Sequence, residues 1–212
     1  MNKTELVFII DRSGSMGGLE SDTIGGFNSL IEEQKELEGE VRVSTVLFDN
    51  KHEVIHNRLN LDNIKPLTRK EYYVRGTTAL LDAIGRAIRK IHHKYCDTLK
   101  EERPGKVMFV ITTDGYENAS KEFTYSMIKQ RIEEMRSKYD WEFIFLGANI
   151  DAVKEARRFG IQEERAVRYH ADKEGVKRNY KAMGKVVTSF RTSLEIDDNW
   201  KEEVEKDYKS RK

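Results

Sequence analysis

The sequence predicts an α/β fold: a doubly wound, mostly parallel central sheet with one antiparallel edge strand and helices on both faces, a three-layer sandwich. Three observations lead to it. The runs at 6–10, 107–111 and, apart from Glu142, 141–146 are apolar throughout rather than alternating, as strands buried on both faces require. Segments with helical apolar spacing separate these runs, which is the pattern of parallel strands joined by helical crossovers. Two of the runs end at an aspartate, Asp11 and Asp114, and the carboxyl ends of such strands are where open α/β sheets keep their ligand sites.

In chain order, the first strand is followed by Gly17 and Gly18. Ile24, Phe27, Leu30, Ile31 and Gln34 then recur at helical spacing over 20–37, and Gly39 is placed as the glycine that ends this helix. The next strand covers 41–48, with Val41, Val43, Thr45 and Leu47 on one face and Val46 and Phe48 on the other. Asp49 and Asn50 supply turn chemistry, so 53–59 folds back as the antiparallel edge. His52 and His56 share one face of that edge and are expected at the surface, where charge protects a free strand.

Pro66 breaks 60–75 into a loop with a short helical turn. Gly76, Thr77 and Thr78 then open an amphipathic helix carried by Ala79, Leu80, Ala83, Ile84, Ala87, Ile88 and Ile91, as far as about residue 95. After Arg103, Pro104 and Gly105 comes the strand over 106–113. Phe123, Met127, Ile128, Ile132 and Met135 mark the next helix, and 141–146 the third buried strand. Asp151 caps a short helix ending near Phe159, and 165–169 is the last edge strand.

Composition limits the function classes. The 212 residues are 38% apolar, enough for one sizeable core. Lys and Arg number 38 against 37 Asp and Glu, a formal charge of +1, so no global field draws the chain to nucleic acid or to an anionic membrane. Cys96 is a single cysteine, and the start Met1-Asn2-Lys3-Thr4-Glu5 leaves no room for a signal peptide, so a cytoplasmic protein is expected. No apolar run approaches the ~20 residues of a membrane span.

Residues 1–170 form the expected domain and 171–212 a helical extension with a charged tail. In the extension Val176, Tyr180, Met183, Val187 and Phe190 make an apolar stripe that packs on the domain, beside a solvated stripe of Lys173, Lys177, Lys181 and Lys185. Trp200, Val204 and Tyr208 repeat the pattern, either as a docking helix or as a partly disordered tail.

The chemistry concentrates after the first strand. Asp11, Ser13 and Ser15 alternate, so in extended backbone their oxygens converge on one point, with Gly14 free to turn. An oxygen-only set of this kind suits a hard cation, Mg²⁺ or Mn²⁺, better than zinc. Alone, this Asp-x-Ser-x-Ser motif is weak, and Asp11 and Ser13 would serve equally as a helix cap. Together with Gly76-Thr77-Thr78 at a helix start and Thr113-Asp114-Gly115 after a later strand, it resembles the metal-ion-dependent adhesion site (MIDAS) of von Willebrand factor type A (vWA) domains.

The resemblance covers roughly 4–159 and implies a Rossmann-like vWA fold of the stand-alone prokaryotic or phage type. It also implies the ligands. Ser13 and Ser15 bind the metal through their hydroxyls, Asp11 through water or from behind, and Thr78 and Asp114 directly or through water. Thr78 is preferred to Thr77 by alignment to Gly-Thr-Ala-Leu-like family sequences. The implied function is a protein-binding module whose Mg²⁺ or Mn²⁺ takes up an Asp or Glu carboxylate of a partner protein.

Two other classes compete. A Mg²⁺-dependent phosphoryl-transfer enzyme of the haloacid-dehalogenase-like kind carries Asp-x-Asp-x-Thr after its first strand, but Ser13 stands where the second, proton-shuttling carboxylate belongs. A serine hydrolase would need Gly-x-Ser-x-Gly, which is absent. With no strong catalytic set, the chain reads as a non-enzyme. A nucleic-acid-associated role for the lysine stripe is the weaker third reading. His92 and Cys96, one helical turn apart, are two ligands without a second pair and read as a solvated helix face.

Overall fold

The computed structural model describes residues 3–193 and 195–211, so the N-terminal reading, as far as it concerns Met1 and Asn2, lies outside the described residues. Six strands form one sheet: β1 (Thr4–Asp11), β2 (Val41–Phe48), β3 (His52–Asn60), β4 (Lys106–Thr113), β5 (Glu142–Ala148) and β6 (Ala166–Tyr169). Their order is β3-β2-β1-β4-β5-β6; β3 runs antiparallel to β2 and all other pairs are parallel. The chain builds outward from β1 to β2 and β3, then returns to the other side of β1 for β4, β5 and β6. The order therefore reverses between β1 and β4, the position at which open α/β sheets open a crevice.

Six helices cover the sheet: α1 (Glu20–Lys35), α2 (Leu80–Asp97), α3 (Tyr125–Tyr139), α4 (Ala152–Arg158), α5 (Lys173–Thr192) and α6 (Glu202–Ser210). Every residue of β1 is buried, which is why its sequence shows no polar alternation. Leu6, Phe8 and Ile10 enter one core with Phe27 of α1 and Val187 of α5. Val7 and Ile9 enter the other, with Ile84 of α2, Ile132 of α3 and Ala156 of α4. Burying an aliphatic or aromatic side chain contributes about 1.5–3 kcal/mol, and β1 gains this on both faces.

The extension shares this core. Val176, Tyr180, Met183, Val187 and Phe190 of α5 pack with the β1 residues, and Ile196, Trp200 and Val204 close the cluster. Trp200 Nε1 donates to the carbonyl of Glu164, so the tail docks as a helix. The lysine stripe is exposed, as expected of a solvated face, and two of its four members, Lys181 and Lys185 of α5, also pair with Glu203 of α6.

Two further expectations are corrected. Gly39 does not end α1, which stops at Lys35; with φ of +114° it forms the turn into β2. His52 and His56 do not share a face. Val46 pairs with Val54 but Thr45 with His56, so β3 gains an extra residue in a bulge between them, and the odd residue turns the following side chain to the other side. His52 meets Arg86 of α2. His56 is buried against α1, stacked on Phe27 with its Nδ1 3.0 Å from Thr45 Oγ1. No helix among the described residues is long and apolar enough to cross a membrane.

Candidate metal centre at the sheet's switch point

Asp11, the last residue of β1, is completely buried. Its Oδ1 accepts from the Ser13 amide at 2.7 Å and its Oδ2 from Thr113 Oγ1 at 2.6 Å. The main-chain oxygen of Asp11 accepts from Tyr72 Oη at 2.7 Å. Loss of hydration pushes the carboxyl up to about 6; the bonds from Thr113 and Ser13 oppose that rise, and the nearby Asp114 adds to it. The Asp11 side chain is thus pinned at both oxygens.

Ser13 leaves the strand in extended conformation, and a short 3₁₀ turn, Gly14–Met16, brings Ser15 back beside it. The two Oγ atoms are 3.2 Å apart. Ser15 Oγ also donates to Asp114 Oδ1 at 2.6 Å, joining the loop after β1 to the loop after β4. Asp114 Oδ2 is buried and has no hydrogen-bond partner. Burial holds this carboxyl above its ordinary value, against the bond from Ser15.

Of the two threonines before α2, Thr77 is exposed and Thr78 is buried. A Cβ at Gly115 would stand 3.8 Å from both Ser15 Oγ and Thr78 Oγ1, so the Thr78 hydroxyl belongs to the same cluster. Its backbone is clasped from both sides: the Thr78 amide donates to Asn118 Oδ1 at 2.9 Å, and the Asn118 amide to the Thr78 carbonyl at 3.0 Å. The fold therefore brings all five predicted residues, Asp11, Ser13, Ser15, Thr78 and Asp114, to one point.

Several supporting residues carried no signal in the sequence reading. The Arg12 side chain is wholly buried, pairing with Asp49 at 3.0 Å and Glu53 at 2.8 Å and donating to the Glu71 carbonyl. Arg75 joins the same Asp49 oxygen at 2.7 Å. Burial alone would raise the Asp49 carboxyl, but the Arg75 bond, the Lys51 amide and the two arginine charges hold it below its usual value. The backbone repeats these ties, with the Gly14 amide on the Gly76 carbonyl and the Arg75 amide on the Arg12 carbonyl. Gly76 has φ of +68°, and a Cβ there would lie 2.3 Å from Asn50 Oδ1, so a side chain at this position would be strained and would have to displace Asn50. Thr113 was legible in principle, as a hydroxyl on the last residue of a strand next to the one ending in Asp11.

The donor set has a defined chemistry. Three hydroxyls and two carboxylates offer oxygen only, and among the described residues the two acids are not paired with any lysine or arginine. Among the described residues, no three His, Cys, Asp or Glu side chains come together as the softer or more acidic metal sites need. A buried carboxylate oxygen without a donor is costly, and a cation at Asp114 Oδ2 relieves that cost. The residues present fit a hard divalent ion.

The fold and this arrangement define a class, the von Willebrand factor type A fold. No family model matches the sequence, and no curated protein does. Solved structures match over most of the chain. Proximal thread matrix protein 1 from the mussel byssus aligns at 12% identity with a TM-score of 0.58, covering 88% of this chain and 46% of that one. The ArnB paralog VWA2 from Sulfolobus acidocaldarius aligns at 18% and 0.57, covering 88% and 45%. A von Willebrand factor type A protein from Catenulispora acidiphila aligns at 14% and 0.56, covering 86% and 42%. The chain thus spans a little under half the length of these proteins. The mussel protein is also known with a zinc-occupied MIDAS motif.

Proposed function

We propose that the chain is a metal-dependent protein-binding module without catalysis of its own. Asp11, Ser13, Ser15, Thr78 and Asp114 would hold a divalent cation, Mg²⁺ or Mn²⁺, and an Asp or Glu carboxylate of a partner protein would complete its coordination. The observation that carries this reading is the buried, unpartnered Oδ2 of Asp114, whose other oxygen accepts from Ser15 Oγ. Two carboxylates balance the charge of such an ion and neutral hydroxyls fill the rest, so the bound cation would still attract one more anion. The zinc-occupied motif of the mussel protein is in keeping with a divalent metal on this fold.

The chain's own residues do the positioning. Thr113 and the Ser13 amide fix the orientation of Asp11, Asn118 fixes Thr78, and the Arg12–Asp49–Arg75 cluster ties the loops around them. Binding is favoured over phosphoryl transfer by position 13, which holds a serine where that chemistry places its proton-shuttling carboxylate.

A pull-down with the wild-type chain and with Asp11→Ala/Ser13→Ala, each in Mg²⁺ and in chelator, tests the reading. Proteins retained only by the wild type in Mg²⁺ are the expected result. Capture indifferent to chelator and to the double substitution, or metal-dependent turnover of generic phosphoesters, contradicts it.

A further inference from the structure

The edge formed by α2 and β3 carries a positive charge that the nearly neutral chain does not have as a whole. Two adjoining depressions, of about 350 and 600 Å³, meet at His52 and Arg86. The first is bordered by Lys51, Thr77, Ala79 and Lys121, so it starts beside Thr78 of the metal cluster. The second continues along α2 past Arg89 and Lys90 to His93.

The acids here are already committed. Glu122 is shared by Arg86 at 2.6 Å and Arg89 at 2.7 Å, which leaves one net positive charge. The Asp82 carboxylate accepts from the amides of Lys121, Glu122 and Phe123. Lys51, Lys90 and Lys121 are exposed and form no ion pair among the described residues. Arg86 Nη1 lies 3.0 Å from His52 Nδ1. Because a guanidinium only donates, that ring is neutral with its proton on Nε2, a further donor at the junction.

We infer that this edge seats an acidic segment of the partner protein, which runs from the carboxylate at the metal cluster past Lys51 and Lys121 to Lys90. The inference rests on the metal-dependent reading above and extends it to the partner's composition. Nucleic acid suits the edge less well, since no Phe, Tyr or Trp lines either depression to stack a base. Rim lysines of this kind act chiefly through electrostatic complementarity, so their effect is salt-dependent.

The test is fluorescence anisotropy with a labelled oligoglutamate peptide in Mn²⁺, at low and at physiological salt. The wild type is compared with Lys51→Glu/Lys90→Glu/Lys121→Glu, whose exposed positions leave the core untouched. The expected result is metal-dependent binding that weakens roughly tenfold or more in the triple variant and loses most of its salt dependence. Unchanged affinity in the triple variant overturns the groove and leaves the metal reading standing. Binding that depends on the lysines but ignores chelator overturns the metal reading, and with it the path from the cluster. No binding by the wild type, or tighter binding of a single-stranded oligonucleotide of equal charge, also overturns the inference.

Discussion

Ser15 Oγ donates to Asp114 Oδ1 at 2.6 Å across 99 residues of chain, while the other oxygen of the same carboxylate is buried without a partner. Half of Asp114 is satisfied and half is not. With a cation bound, the fully coordinated form is the more stable one, so saturating Mg²⁺ or Mn²⁺ raises the melting temperature. At a hundredfold excess over Kd, linkage gives about 2.7 kcal/mol. Asp11→Ala/Ser13→Ala should keep the circular dichroism spectrum and lose both calorimetric metal binding and the thermal shift. Undiminished binding by this variant would remove the site assignment.

If Asp11 holds a metal, Thr113 would act on it through the bond to Oδ2. Thr113→Val keeps the side-chain shape and deletes the donor to Oδ2, and a group that orients a ligand in this way is worth about 10–100-fold in metal affinity. Titration calorimetry should find that loss in Thr113→Val and its recovery in Thr113→Ser. Equal affinities in all three proteins would mean that the Ser13 amide alone orients Asp11.

Arg12 and Asp49 are both wholly buried. Arg12→Met leaves the Asp49 and Glu53 carboxylates short of a partner, and breaking a buried pair from one side costs about 3–5 kcal/mol. Arg75 remains on Asp49, which places the outcome toward the lower end. In urea titrations, Arg12→Met/Asp49→Asn should lose less stability than the two single variants added together. Strict additivity would contradict direct coupling.

Adjacent glycines of α1 should respond with opposite signs. A Cβ at Gly25 meets nothing within 4 Å, whereas one at Gly26 lies 2.4 Å from the Tyr180 ring. Gly25→Ala gains roughly 0.5–1 kcal/mol from the restricted unfolded chain. Gly26→Ala pushes α1 off α5 and loses about 1–3 kcal/mol. The same sign in both unfolding midpoints would refute the α1–α5 packing.

His56 gives the pH dependence. Burial holds its pKa below the ordinary 6.5, while a hydrogen bond at the Lys65 backbone and the Glu71 charge act the other way. As pH falls below that ordinary value, the unfolded chain takes up a proton that the folded chain resists, so stability is lost on acidification and kept above it. The raised acids Asp11 and Glu5 have the opposite slope, because the folded chain protonates first. The difference between wild type and His56→Gln isolates the histidine: the wild type should lose more stability from neutral pH toward 5. Parallel curves would mean that His56 titrates as it does in water.

Much of this molecule is determined by its sequence alone. Continuous apolar runs mark β1, β4 and β5 because a strand buried on both faces has no polar side to show. Asp11, Ser13 and Ser15 lie within five residues, so local spacing nominated them, whereas Thr78 and Asp114, at element boundaries, were nominated by the resemblance to the vWA metal site. What the tertiary structure decided depends on pairs far apart in the chain. The bulge in β3 sends His56 inward, Glu203 takes up half of the lysine stripe, and Arg12 finds Asp49 and Glu53 on another strand and turn. The burial of Thr78 rather than Thr77, and the open Oδ2 of Asp114, arise only when β1 and β4 lie side by side. No local pattern encodes such contacts, since each follows from register, burial and packing that exist only in the assembled sheet.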